Sequence, residues 1–325
     1  MCNDDSLHFD KSALTGALKS KAFELGFSAC GVAKAGPVDA ATANHIRRWL
    51  AEGGNAGMDY MSNNLDKRLD PRLLMTDVKS IVSFALNYTP GKTMPEGEFQ
   101  FAAYALGKDY HDIMKEKLRE LAGAFDFQDE LHAASEGGRR CRIFVDSAPV
   151  LERYWAQRAG IGWIGHNHQL IVPGAGSMFF LGELFVNVEL EYDEPVKDRC
   201  GCCHRCVDAC PTGALEQGKE IDASKCLSYQ LIENRDELSE DAKEKMGDTI
   251  YGCDRCQKAC PWNRLAKPNT IPELQPKEEL LSMTKTKWEH LTVEEYRRLF
   301  KGSAVKRVKY DGLMRNIRGA EENDK

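Results

Sequence analysis

Eight cysteines carry the clearest chemistry in the chain. Cys200, Cys203, Cys206 and Cys210 are spaced C-x-x-C-x-x-C-x-x-x-C and are followed by Pro211. Cys253, Cys256 and Cys260 give C-x-x-C-x-x-x-C before Pro261, and Cys226 supplies an eighth thiol between the runs. Two-residue gaps let successive thiolates and the amides between them wrap one cuboidal 4Fe–4S cluster. The cysteine before proline starts a helix that points away, and so ligates the other cluster. The pattern therefore assigns Cys200, Cys203, Cys206 and Cys260 to one cluster, and Cys210, Cys226, Cys253 and Cys256 to a second. Two tetrahedral zinc sites are the alternative use of eight cysteines; the two Cys-Pro terminators argue against it. Cys202 lies off the pattern and is expected to be a spectator, as are Cys2, Cys30 and Cys141.

About 190 residues precede the cysteines, far more than an electron carrier needs, so they are expected to hold an acceptor or a substrate. Asp146 ends a strand-like run and is followed by Ser147-Ala148-Pro149. It reads either as an N-terminal helix cap or as a carboxyl poised for general acid work. Such an acid works best with its pKa raised by burial. Gly160, Gly162 and Gly165 match G-x-G-x-x-G, but after a helix and before a strand, the reverse of the dinucleotide-binding context. The glycines read instead as a tight turn or as a loop where backbone approaches a broad ligand. His111, His166 and His168 read as ordinary surface or core histidines.

These groups need a scaffold. Residues 12–25 place Leu14, Leu18, Ala22 and Leu25 on one helical face, and 109–125 do the same with Met114, Leu118, Leu121 and Phe125. SIVSFALNY (80–88) and RRCRIFVD (139–146) have the composition of strands, and 99–106 is a further candidate. Pro149 suits the first turn of a helix running to about 159. Residues 168–173 and 177–190 read as two strands joined by a turn at Gly174 and Gly176. The strands are too irregularly spaced for a βαβ series, so the class is α+β. Segment 264–277 reads as an irregular connection, 292–318 as a basic helical stretch, and the last residues, 319–325, as a frayed end.

Composition excludes several classes. The 325 residues are 42% hydrophobic with a net charge of −6, enough apolar content for a sizeable core and too little charge for a disordered chain. No apolar run approaches the roughly 20 residues of a membrane span, and the first residues resemble no export signal. Cysteines gathered in one segment of a long chain suit metal in a reducing compartment rather than a disulfide scaffold. The cytoplasm is the expected location.

Five segments together resemble the epoxyqueuosine reductase family: VDSAPVLERYWAQRAGIGWIGHN (145–167), GSMFFLGEL (176–184), CGCCHRCVDACPTGAL (200–215), IYGCDRCQKACPWN (250–263) and GSAVKRVKYDGLMRN (302–316). The resemblance runs from RLDPR at 68–72 to the end of the chain. It implies a cobalamin-dependent enzyme with two 4Fe–4S clusters that reduces epoxyqueuosine to queuosine at the wobble position of tRNA, the final step of queuosine synthesis. Cob(I)alamin fed by the clusters would attack the epoxide, with Asp146 as proton donor.

The implied architecture is a nitroreductase-like cobalamin-binding domain (1–190), a ferredoxin-like two-cluster domain (191–275) and a short helical basic tail (276–325). Asn167, Ser177, Ser228, Cys253 and Asp254 would lie around the corrin with Asp146, as would Arg68 and Tyr104. An external low-potential donor of the ferredoxin or flavodoxin class, a tRNA with a queuosine-type anticodon and a monomeric state are also implied. Longer members continue into a helical-repeat domain beyond the position of Asn316. The tRNA grip here is therefore expected from the tail, through Lys306, Arg307, Lys309 and Arg315, with Arg139, Arg140 and Arg142 as further basic residues. Two residues depart from the family pattern: His166 stands where lysine is usual, and Leu231 where threonine is usual. The competing readings are a reductive dehalogenase-like cobalamin enzyme and a non-catalytic ferredoxin-like electron-transfer protein.

Overall fold

Asp10 opens the first element: its carboxylate accepts the N–H groups of Ser12 and Ala13 at 3.0 Å and caps the helix Lys11–Glu24. The computed structural model describes residues 10–131 and 138–322. Cys2 and residues 323–325 lie outside the described residues. The strands are β1 (Ala29–Lys34), β2 (Ser80–Asn87), β3 (Gln100–Phe101), β4 (Gln128–Asp129), β5 (Arg140–Phe144), β6 (Trp163–Ile164), β7 (Leu170–Ile171), β8 (Phe179–Val186) and β9 (Thr249–Tyr251).

The main sheet has the order β1-β2-β8-β5-β4, antiparallel except for the β5–β4 pair. Alternation along the strands builds two cores. Val82, Phe84 and Leu86 of β2 join Leu184 and Val186 of β8 on one face, beneath Leu18 and Ala22 of the first helix and Met114, Leu118 and Leu121 of the helix Tyr110–Ala124. Ile81 and Ala85 join Phe185 on the other face, beneath Trp155 and Ala156 of the helix Glu152–Arg158. Both helical faces expected from the sequence thus reach the core.

Several elements differ from expectation. Of 99–106 only Gln100–Phe101 is strand, in parallel pairing with β9 from the cysteine region. Its ladder ends because the Ala103 N–H donates to the Asp254 carboxylate at 2.7 Å instead of to a strand. The helix after Pro149 starts only at Glu152, and no side chain caps it. Gly174 and Gly176 do form a left-handed turn, with φ of 72° and 87°, spanned by an antiparallel bridge between Val172 and Gly176. β7 pairs with β6, and β8 lies in the main sheet.

The C-terminal segment is also no appended tail. Trp288, Phe300, Val305, Leu313 and Ile317 share a third core with Phe99, Phe101, Leu227, Leu231, Ile250 and Tyr251. Asn316, fully buried, donates from Nδ2 to the carbonyls of Leu231 and Ile250. The final helix, Lys309–Glu321, runs on with Gly319 and Ala320 buried, so the expected fraying at 319–322 does not occur. Among the described residues no helix is long and apolar enough to cross a membrane.

Candidate functional site

The glycine loop is where the first segment meets the cysteines. A side chain at Gly162 would stand 2.2 Å from the Ile171 carbonyl, and one at Gly165 would stand 2.5 Å from Ile171 Cδ1 and 3.3 Å from Cys200 Sγ. Only glycine allows that approach. Trp163 Nε1 points at Cys200 Sγ, 3.4 Å away. His166 donates from Nδ1 to the Cys203 carbonyl at 2.8 Å, so the residue that departs from the family pattern ties down the first cysteine loop. The other departure, Leu231, is fully buried in the third core rather than facing a ligand.

The described cysteines are all free thiols. Burial raises the pKa of Cys200, Cys206, Cys226, Cys253, Cys256 and Cys260, and repulsion from neighbouring thiols adds to it in two sets. Cys206 feels Cys260 and Cys200, and Cys260 feels Cys203. Cys226 feels Cys210, Cys253 feels Cys226, and Cys256 feels Cys253 and Cys226. Cys256 also feels Cys206, which makes the sets neighbours. Among the described residues no three His, Cys, Asp or Glu side chains converge on a position for a single ion. Of the spectators, Cys30 and Cys141 have thiols pushed up to about 12 by burial, while Cys202 is exposed.

The second set opens onto a cleft with a volume of ≈ 230 Å³. Cys210, Cys226, Cys253 and Cys256 line it, together with Tyr104, Asn167, Ser228 and Asp254. Asn167 is buried and its Nδ2 has no partner, while its Oδ1 is engaged by the Gln169 N–H at 3.2 Å. Ser177 and Arg68 are not among the lining residues. Ser177 binds Asn263 Oδ1 through its N–H at 2.6 Å and Gln257 Oε1 through its hydroxyl at 3.1 Å. Arg68 is buried behind Tyr60, whose carbonyl accepts from Nη2 at 3.1 Å, and its Nε is unpartnered.

Tyr104 connects the cleft to Asp146, its ring 6.4 Å from that of Tyr110. Tyr110 donates its hydroxyl to Asp146 Oδ2 at 2.7 Å, and His111 Nε2 lies 3.1 Å from the same oxygen. His111 Nδ1 sits 2.7 Å from Asp109 Oδ1. The Tyr110 ring is stacked between Phe180 and His111, at 4.1 and 4.2 Å. Asp146 itself has φ 54°, and its N–H is held by Glu152 Oε1 at 2.5 Å. It caps no helix.

The donors of His111 and Tyr110 hold the Asp146 carboxyl below its usual range despite the opposing pull of burial, the reverse of the raised value expected. His111 is raised to about 9 by Asp109 and then by Asp146. It is therefore no ordinary histidine, although nothing in the spacing of Asp109-Tyr110-His111 points to Asp146.

The basic residues divide. Arg307 is paired with Glu233 through both Nε and Nη2, at 2.8 and 2.6 Å, and lies 5.7 Å over the Tyr60 ring. Lys306 and Lys309 are exposed. Arg315 is spent internally: its guanidinium donates to the carbonyls of Gln230, Asn234 and Asp236 and to Asn316 Oδ1, so it is not free to meet a phosphate. Arg140 is likewise paired with Asp77, and Arg142 bonds the Leu74 carbonyl.

Residues 199–263 match the family model of the 4Fe-4S double cluster binding domain, and 68–147 match that of epoxyqueuosine reductase QueG, DUF1730. The chain is 45% identical to an epoxyqueuosine reductase of Cellulophaga algicola, over 92% of this chain and 95% of that one. It is similar to a crystal structure of epoxyqueuosine reductase with an epoxyqueuosine-modified tRNA-Tyr stem loop, at TM-score 0.86 and 28% identity, over 96% of this chain and 81% of that one. It is similar also to the Bacillus subtilis epoxyqueuosine reductase with its aspartate-bearing catalytic loop swung out of the active site, at TM-score 0.85 and 27% identity, over 96% and 82%. Similarity over nearly the full length joins a cluster-binding cysteine pattern to a family-specific first segment, which sets aside both zinc and a bare electron carrier: the chain belongs to the epoxyqueuosine reductase family of oxidoreductases.

Proposed function

We propose that this protein reduces epoxyqueuosine to queuosine at the wobble position of tRNA. The first domain would be nitroreductase-like and bind cobalamin, and the cysteines would hold two clusters divided as the spacing assigns them. The observation that carries this reading is the cleft. One wall is the Cys210, Cys226, Cys253 and Cys256 set, and another presents a buried amide, Asn167 Nδ2, with no partner of its own. A buried unpaired donor costs about 1–3 kcal/mol, so a ligand acceptor belongs there. Tyr104, Asn167, Ser228 and Asp254 are the residues that would hold cobalamin, which supplies a strong two-electron nucleophile when bound. Ser177 supports this wall through Gln257 and Asn263 rather than by contact.

Turning an epoxide into an alkene takes up two electrons and two protons and releases one water. The chain's own part is the proton. Asp146 gives it to the departing oxygen, and His111 holds it on Nε2, 3.1 Å from the Asp146 carboxylate. Asp109 fixes the imidazole through Nδ1, and Tyr110 fixes the carboxylate through its hydroxyl. The strained φ of Asp146 is held by the Glu152 bond. Lys306 and Lys309 are left to meet tRNA phosphates, and Arg307 to extend the Tyr60 surface. A low-potential one-electron donor, a monomeric state and a cytoplasmic location complete the proposal.

The test is anaerobic reconstitution with iron, sulfide and cobalamin, addition of a low-potential reductant such as dithionite with a viologen mediator, and nucleoside analysis of tRNA carrying epoxyqueuosine. Appearance of queuosine supports the reading. Loaded enzyme that leaves the epoxide unchanged refutes it.

A further inference from the structure

The two cysteine sets differ in what surrounds them. Cys210, Cys226, Cys253 and Cys256 line the cleft, whereas Cys200, Cys203, Cys206 and Cys260 do not. The loop Gly201–Cys202 beside the latter set is exposed, and Cys200 and Cys203 are only half-buried. Val196, Cys200 and Trp262 all pack against the Trp163–Cys260 cluster, so the chain around Lys197 and Arg199 lies next to the chain that follows Trp262. That surface is basic in an acidic protein. Segments 195–210 and 261–268 carry Lys197, Arg199, Arg205, Arg264 and Lys267 against only Asp198 and Asp208, while the whole chain is −6.

All five cations are exposed, and among the described residues none forms an ion pair. The two acids are engaged: Asp198 accepts the Cys200 N–H at 2.7 Å, and Asp208 faces His204 at 3.4 Å. Leu265, 53% exposed between Arg264 and Lys267, adds an apolar side chain to the patch.

We infer that this basic surface with Leu265 is the docking face for an acidic one-electron carrier protein, which delivers electrons through the Cys200, Cys203, Cys206 and Cys260 set. The inference rests on the proposed function. Each docking oxidises the carrier by one electron and reduces the adjacent cluster by one, so two dockings match the two-electron reduction of the epoxide. Unpaired cations beside an apolar side chain suit a transient, steered encounter: opposite charge raises the on-rate about 10–10³-fold and falls away with salt. A protein is favoured over tRNA because the patch surrounds the set that does not line the cleft, whereas the cleft is what Tyr104 links to Asp146.

The test is stopped-flow bleaching of the clusters in the reconstituted full chain, reduced either by flavodoxin or by dithionite, in wild type, the Arg199→Glu/Arg264→Glu double variant and Leu265→Ser. The expected result is a flavodoxin rate at least tenfold lower in the double variant, with a flattened salt dependence, and a dithionite rate within twofold of wild type. Leu265→Ser, which changes no charge, should lower the flavodoxin rate alone. An unchanged flavodoxin rate in both variants overturns the inference. So does weakened tRNA binding with unchanged flavodoxin kinetics, which would make the patch a nucleic-acid surface. Iron and sulfide content of the wild type tests the underlying cluster reading separately.

Discussion

His111 faces Asp146 through Nε2 at 3.1 Å, while its other ring nitrogen is fixed by Asp109 at 2.7 Å. The imidazole is therefore held charged between two carboxylates, and the proton that Asp146 needs resides one atom away. Asp146→Asn should keep its cluster content and its tRNA affinity yet lose at least about a hundredfold in turnover. Single-turnover product analysis checks this, and retained turnover would remove Asp146 from its assigned role.

Turnover should depend on pH through His111. Its pKa of about 9 means the proton is in place below that pH and lost above it, so rate should fall on the alkaline side. Asp109→Asn removes the largest cause of the raised value, and the alkaline limb should move toward neutrality by about a unit or more. A pH–rate profile with the limb unmoved would show that His111 does not hold the proton.

Glu183 gives a stability prediction. It is fully buried on β8 opposite Ser83, neither of its oxygens has a partner, and burial lifts its pKa well above 4.5. A carboxyl whose folded pKa is raised adds most stability below its unfolded value and loses it as pH climbs toward the folded one. Over that window the cost is about 1.4 kcal/mol per pH unit. Glu183→Gln should therefore be more stable than wild type near neutrality, by a margin that grows with pH. Urea unfolding at several pH values measures it, and a constant margin would contradict it.

Cysteine replacement should separate the two sets. Cys206→Ser and Cys253→Ser are each expected to bring iron from about eight to about four per chain. Paramagnetic resonance of the reduced protein should then show one cluster environment in each variant, and a different one in the two. Loss of all iron from either variant would show that the sets do not load independently.

Arg315 and the exposed lysines should part company. Lys306→Gln with Lys309→Gln should flatten the salt dependence of tRNA binding by about one unit of slope for each phosphate no longer engaged. Arg315→Gln should leave that slope alone and lower stability by about 1–3 kcal/mol, because the part-buried carbonyls of Gln230 and Asn234 lose their donor. Salt titrations and thermal unfolding distinguish the two effects.

That difference between Arg315 and the lysines shows what a sequence can and cannot display. The cysteine sets are legible because cluster ligation imposes a local spacing on neighbouring residues. The helical faces of Leu18 and Met114 are legible because burial imposes a period. Asp146 is ambiguous in sequence because its partners Tyr110 and His111 come from a helix some 35 residues upstream, and only the folded chain, where the next helix starts at Glu152, shows that it caps nothing. Arg315 misleads because a charge shows in a sequence, whereas the carbonyls that consume it do not. The partners of β8 are illegible for the same reason: the turn at Gly174 and Gly176 is local, but the pairing of β8 with β2 and β5 is chosen by the whole sheet.

The parallel pairing of β3 with β9 has a consequence for how such a protein is made. A strand from before the cysteines, the stretch between the cysteine runs and the last helix bury one another in a single core. The cluster-bearing stretch is thus not a cassette that could be excised, grafted or exchanged between proteins. During synthesis this core cannot close until the helix Lys309–Glu321 has left the ribosome, so iron delivery should follow the emergence of that helix.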